Sequence, residues 1–317
     1  MRIFRPQLFR FQAKMTQLID ATKAKEIINS VDNFLFDCDG VLWDGTGKIE
    51  GSLETILKLK ELGKKVFYVT NNSAKTRADY MVKCKEYGFP AEENEIVCTA
   101  FIAAQYLKTI GYKDKVYLIG KDDSIGKELQ NAGINYTGTG PDTLVGNGYE
   151  DWLRDIKLDP EVKCVVVGFD PHISYMKIMK AASYLTNPDC LYVATNEDGS
   201  LPVKEKNICI PGTGCMVLPV TVAANRPPIL MGKPETNMFE VLRQVHNLDP
   251  SRCMMTGDRI STDIVFAKRC GIRSCLVLSG ISTIDEINTP ERAGPKAESD
   301  KQPDYYAQKL ADFGKYL

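Results

Sequence analysis

From residue 31 onward, short β-branched runs alternate with stretches of helical periodicity, the pattern of βα units feeding a mostly parallel sheet. Residues 31–36 read as a strand running into Asp37. Leu53, Ile56, Leu57 and Leu62 then share one helix face, which Gly63 closes. A second strand, 66–69, runs into Thr70. The alternation continues with a helix over 76–87 stopped by Gly88, a strand at 96–98, and a helix over 100–110 ended by Gly111.

A second series of the same kind follows: strand 116–119, helix 124–132, strand 164–167, helix 174–185 and strand 191–195. Having its own strands and core-facing helices, this block predicts an inserted α/β domain, with 223–228 as the return linker. Strands at 229–231, 253–256 and 274–278 are expected to resume the first sheet. The stretch 289–303, rich in charge, Pro and Gly, reads as a mobile surface loop before a last helix over 306–313. The expected fold is α/β, a doubly wound and mostly parallel Rossmann-like core with an inserted α/β cap. Its expected divisions are an N-terminal extension over 1–30, a core from 31–110 and 228–317, and a cap over 111–227.

Length and composition agree with two domains: 317 residues, 44% apolar and 26% charged. Forty basic against 41 acidic side chains leave a formal charge of −1, so no global field draws this chain to nucleic acid or to an anionic membrane. A small anionic substrate needs a local positive site instead. The longest uncharged apolar stretch, 215–224, is about half of the roughly 20 residues that span a bilayer. Ten scattered cysteines without a C-x2-C pair, and only two histidines, argue against a structural zinc site and for reduced thiols in a cytoplasmic protein. Residues 1–14 carry Arg2, Arg5, Arg10 and Lys14 without an acid. They read either as a weak organelle-targeting segment or as a basic extension, the second favoured because Pro6 interrupts the helix and serine is absent.

In open α/β sheets ligands bind beyond the carboxyl ends of the strands, so the polar residues there carry the chemistry. Four clusters occupy such places: Asp37-Cys38-Asp39-Gly40, Thr70-Asn71-Asn72-Ser73, Lys233 after Ile-Leu-Met-Gly, and Asp258 with Asp263. They fit one reaction. Asp37, held at a rigid strand end, attacks phosphorus to form an acyl phosphate. Asp39 protonates the leaving alkoxide and then activates water, aided by crowding from other carboxylates. Magnesium on Asp37, the Asp39 backbone carbonyl and Asp258 offsets the repulsion between nucleophile and phosphate, with Asp263 fixing a magnesium-bound water. The Thr70 hydroxyl, the Asn71 N–H and the Asn72 side chain hold phosphoryl oxygens, while Lys233 supplies positive charge. Each cluster alone reads equally well as a turn or a helix cap; their joint placement at successive strand ends is what points to phosphoryl transfer.

The segments DCDGVLWDG, TNNS, GKP and GDRISTDI resemble the four motifs of the haloacid dehalogenase superfamily of phosphatases, and similarity continues through VVVGFDPHISYMK, NPDCLYVATN and PGTGC. The resemblance implies the same roles: nucleophile at Asp37, acid/base at Asp39, magnesium at Asp37, Asp39 and Asp258, and phosphate contacts at Thr70, Asn71, Asn72 and Lys233. It further implies a cap that closes over the site, homodimerisation through that cap, and a substrate-specificity loop over 195–202. The substrates implied are small phosphorylated metabolites, 2-phosphoglycolate or glycerol 3-phosphate. Pyridoxal phosphate is the alternative, disfavoured because members acting on it carry a histidine in that loop and this chain has none there.

Other signals lead elsewhere. Cys253 and Arg259 satisfy C-x5-R, yet the segment starts apolar and places Asp258 where such a loop needs amides. Gly212-Thr213-Gly214 lacks a P-loop continuation, which leaves no nucleotide cofactor indicated. His172 reads as a cap surface or structural residue, Cys38 as sheltered packing, and Arg77 as a helix-start residue in preference to a substrate guide. A catalytically silent scaffold and a mutase are the competing classes; retention of Asp37 and Asp39 speaks against the first, and cap placement after the second strand against the second.

Overall fold

The computed structural model describes residues 16–146, 148–201, 207–288 and 301–317. Two parallel sheets organise it. The first has seven strands in the order Gln17–Leu18, Tyr305–Ala307, Arg273–Val277, Cys253–Gly257, Asn33–Asp37, Lys65–Thr70 and Ile96–Cys98. The second has five, in the order Ile229–Leu230, Leu191–Ala194, Val162–Val167, Lys115–Ile119 and Tyr136–Thr137. Every ladder in both is parallel. Phe34, Leu35 and Phe36 are all fully buried, as expected of a central parallel strand covered on both faces.

The helices begin and end where local chemistry directs. Thr76 caps Arg77–Tyr87 by a reciprocal pair of bonds with Asp79, and Gly88 ends it in the left-handed region at φ 81°. Ser174 caps Tyr175–Tyr184 by accepting the Lys177 N–H. The helix expected from Ser124 starts as a wide turn at Asp122–Gly126 and becomes regular over Lys127–Asn131.

Three expectations are corrected. The extension placed at 1–30 is folded from at least Gln17: Gln17–Leu18 pairs with Tyr305–Ala307 at the sheet edge, and Asp20 caps helix Ala21–Ser30. A two-residue strand is too short to show a period. Residues 1–15, with the basic segment 1–14, lie outside the described residues. Second, Tyr305–Ala307 is a strand, buried at Tyr305 and Ala307, and the last helix is Leu310–Gly314 rather than 306–313. The alternation of period two decided it. Third, Ile229–Leu230 pairs with Leu191–Ala194 in the second sheet instead of resuming the first. The returning chain crosses to the first sheet only after that strand. Most of the loop expected at 289–303 lies outside the described residues.

Candidate active site

The carboxyl ends of Asn33–Asp37, Lys65–Thr70 and Cys253–Gly257 open into one cavity of about 420 Å³, which Asp198, Ser200 and Leu201 cover from the segment after the second-sheet strand Leu191–Ala194, where Ser200–Leu201 pairs with Ile210–Pro211 in a separate two-stranded ribbon. All eight residues singled out in the sequence line it: Asp37, Asp39, Thr70, Asn71, Asn72, Lys233, Asp258 and Asp263.

At its base Lys233 Nζ lies 2.6 Å from Asp37 Oδ1 and 2.7 Å from Asp263 Oδ1, with Lys233 itself only 4% exposed. Oxygens of Asp37, Asp258 and Asp263 all fall within 4.8 Å of one another. Burial, with Asp263 and Asp258 alongside, pushes Asp37 well above the usual carboxylate range against the pull of Lys233. Burial and Asp263 raise Asp258 to about 6. Burial alone would lower Lys233, yet Asp263 and Asp37 hold it above the ordinary lysine value.

Glycines let these carboxylates converge. Gly40, at φ 85°, turns the chain after Asp39, and a Cβ there would lie 2.5 Å from Asp258 Oδ2. A Cβ on Gly280 would lie 1.8 Å from the same oxygen, which accepts the Ile281 N–H at 2.8 Å. Asp263 Oδ2 accepts the Arg259 N–H at 3.1 Å, so both of its oxygens are engaged.

Asn71 joins the two halves of the site. Its side chain accepts the Lys233 N–H at 2.8 Å and donates to the Lys233 carbonyl at 2.9 Å. Its own carbonyl accepts the Thr99 hydroxyl at 2.6 Å and the Asn196 amide at 2.7 Å. The Asn72 side chain accepts the Ala74 N–H at 2.7 Å, and the Thr70 hydroxyl accepts the Asn72 N–H at 3.2 Å, folding the strand end into a tight turn.

Asp39 departs from expectation. Its Oδ1 accepts the Trp43 indole N–H at 3.0 Å and lies 3.7 Å from Lys83 Nζ, and its side chain is 43% exposed. The crowding by carboxylates expected there falls on Asp37 and Asp258. Lys83 stacks over the Trp43 ring at 4.4 Å, so an indole and an ammonium orient the carboxylate. Sequence reading missed both residues. Trp43, four positions after Asp39, offered a signal; Lys83, on a separate helix, offered none.

Arg77 is structural, as its position at a helix start suggested. It pairs with Glu93 at 3.0 Å and Glu128 at 3.2 Å and covers the Phe101 ring. His172 is exposed, its N–H donated to Asp170. Cys38 is buried, and burial with Asp37 and Asp39 pushes its thiol well up. Cys253 is buried and donates to the Asp249 carbonyl, away from any anion-binding role. All ten cysteines are free thiols. Among the described residues, no helix is long and apolar enough to cross a membrane.

The haloacid dehalogenase-like hydrolase model matches residues 34–135, and a HAD-hydrolase-like model matches 230–313. The chain belongs to the haloacid dehalogenase-like hydrolases. Glycerol-3-phosphate phosphatase of Rattus norvegicus is 40% identical over 302 residues, 93% of each chain. The chloroplastic phosphoglycolate phosphatase 1A of Arabidopsis thaliana is 39% identical over 95% of this chain and 81% of that protein. Among solved structures, p-nitrophenyl phosphatase from Archaeoglobus fulgidus superposes with a TM-score of 0.75 at 26% identity, over 91% of this chain and 100% of that one.

Proposed function

We propose that this phosphatase hydrolyses a small phosphate monoester through an aspartyl-phosphate on Asp37. The observation that carries the reading is the pairing of Asp37 with Lys233 at 2.6 Å, at a strand end where two further carboxylates converge. The Asp37 carboxylate attacks phosphorus in line and the P–O bond to the alcohol breaks. Asp39 gives its proton to the departing alkoxide. In the second step Asp39 takes a proton from water, whose oxygen attacks the acyl phosphate and returns Asp37 with inorganic phosphate. Lys233 balances the charge that gathers between Asp37 and the phosphoryl oxygens, and Thr70, the Asn71 N–H and Asn72 orient those oxygens.

The donor set suits a hard divalent cation: three carboxylates converge within 4.8 Å against one ammonium, and burial together with the neighbouring Asp263 raises Asp258. Asp37, the Asp39 carbonyl and Asp258 would hold magnesium, with Asp263 beside them keeping Lys233 in place. When bound, the ion supplies electrostatic relief between nucleophile and phosphate.

Glycerol 3-phosphate and 2-phosphoglycolate are the substrates the relatives' names support, and the second sheet acts as the cap whose loop at 195–202 reads the leaving group; Pro202 lies outside the described residues. A homodimer through this cap fits the exposed apolar residues Leu218 and Val222 on helix Gly214–Ala224. A cytoplasmic location completes the reading. Phosphate release with magnesium, wild type against Asp37→Asn, tests it: turnover lost in the variant supports the nucleophile, and turnover retained rejects it.

A further inference from the structure

Among the described residues, the cavity is lined by six aspartates and three cations, Lys83, Lys233 and Arg259. Lys233 is engaged by Asp37 and Asp263, and Lys83 sits between Asp39 and the Trp43 ring. Arg259 remains, its side chain 36% exposed, with Nη1 4.0 Å from Asp198 Oδ1 across the mouth between the two sheets. Asp198 is fixed there from three directions. Its N–H donates to the Asn196 side chain at 3.0 Å, its carbonyl accepts the Gly214 N–H at 2.9 Å, and its Oδ2 accepts the Asn71 amide at 3.3 Å. Gly212 lets the loop lie this low, since a Cβ there would lie 2.2 Å from the Asp198 carbonyl oxygen.

We infer that Asp198 and Arg259 form a specificity pair that selects a hydroxyl-bearing leaving group over a carboxylate-bearing one. The inference rests on the phosphatase reading and deepens it. Among the described lining residues Arg259 is the cation that faces the mouth, and Asp198 offsets it, so an incoming carboxylate meets a surplus of negative charge from those residues. A hydroxyl finds acceptors in Asp198 and Ser200, which line the same side.

The test is kcat/KM of the full chain with magnesium on glycerol 3-phosphate, 2-phosphoglycolate and p-nitrophenyl phosphate, the last bearing neither group. The wild type is expected to prefer glycerol 3-phosphate. Asp198→Asn, which keeps an acceptor for Asn71, should raise the ratio of 2-phosphoglycolate to glycerol 3-phosphate at least about tenfold by unmasking Arg259. Arg259→Gln alone should lower that ratio, and adding it to Asp198→Asn should abolish the gain. A wild type preferring 2-phosphoglycolate, an unchanged ratio in Asp198→Asn, a gain surviving in the double variant, or a parallel loss on all three substrates would each overturn the pairing. Failure of the underlying reading shows separately, as p-nitrophenyl phosphate turnover that survives Asp37→Asn.

Discussion

Replacing Lys233 by methionine keeps the buried stem and removes the ammonium. At 2.6 and 2.7 Å, and with an effective dielectric of about 20, each attraction to Asp37 and Asp263 amounts to about 6 kcal/mol before desolvation is subtracted. Most of that is cancelled by the cost of burying the charges, but removing one partner leaves two carboxylates uncompensated, at a cost of about 3–5 kcal/mol. Urea denaturation at pH 7 without metal should therefore show Lys233→Met destabilised by about that amount. Adding Asp263→Asn to it should recover a good part of the stability, because one stranded charge disappears, while kcat/KM stays at least about 100-fold down for want of the charge beside Asp37. The backbone bonds of Lys233 to Asn71 are untouched by the change, so the strand ends stay joined. If Lys233→Met is within about 1 kcal/mol of wild type, or if Asp263→Asn makes it worse, the account of Lys233 as the charge balancing two buried aspartates is wrong.

Three further outcomes follow from the geometry. Trp43→Phe removes the indole donor from Asp39 and should lower kcat about tenfold with KM changed less than about twofold; an unchanged kcat and pH–rate profile would exclude a role in orienting Asp39. Gly280→Ala drives a methyl into Asp258 Oδ2 and should cut kcat/KM by at least about 100-fold with the protein still folded by circular dichroism, whereas near-normal turnover would show that Asp258 need not hold its position. Asp304, where burial acts upward but Lys268 and the Ser274 N–H and hydroxyl outweigh it, is held below its ordinary value. A depressed carboxyl contributes stability above its unfolded value of about 3.9 and loses it as pH falls through the folded one. Asp304→Asn should thus cost about 1–3 kcal/mol at pH 7 and progressively less toward pH 3; an equal deficit at both would refute the linkage.

The parts legible in the sequence are those with strong local grammar. Asn33–Asp37 announces itself by an apolar run ending in a carboxylate, and Arg77–Tyr87 by Thr76 at one end and Gly88 at the other. The site followed from them, because residues at strand ends must converge when the strands are parallel neighbours. What escaped depends on partners far along the chain. Gln17–Leu18 is a strand because Tyr305–Ala307 lies beside it, and Tyr306 and Ala307 left the helix expected over 306–313 because their alternation meets an edge offered by Arg273–Val277. Lys83 belongs to the site through a contact with Asp39 44 positions earlier, formed when its helix packs against Trp43, which sits in a short antiparallel hairpin of Trp43–Asp44 with Gly47–Lys48. Asp198 and Arg259 meet across 61 positions of sequence, where the segment after Leu191–Ala194 reaches the end of Cys253–Gly257.

The crossing of Ile229–Leu230 into the second sheet gives Lys233 a mechanical position. Two residues, Met231 and Gly232, separate the end of that strand from Lys233, whose own backbone N–H and carbonyl are both moored by Asn71 at the end of the first-sheet strand Lys65–Thr70. Met231 donates its N–H to Ala194, still on the second sheet, so the junction between the two anchorages narrows to Gly232. Any rocking of the lid must twist the chain there or slip one mooring. If the second sheet rocks as a lid, Lys233 is the post on which it would turn, with the charge beside Asp37 kept in register by the two bonds to Asn71.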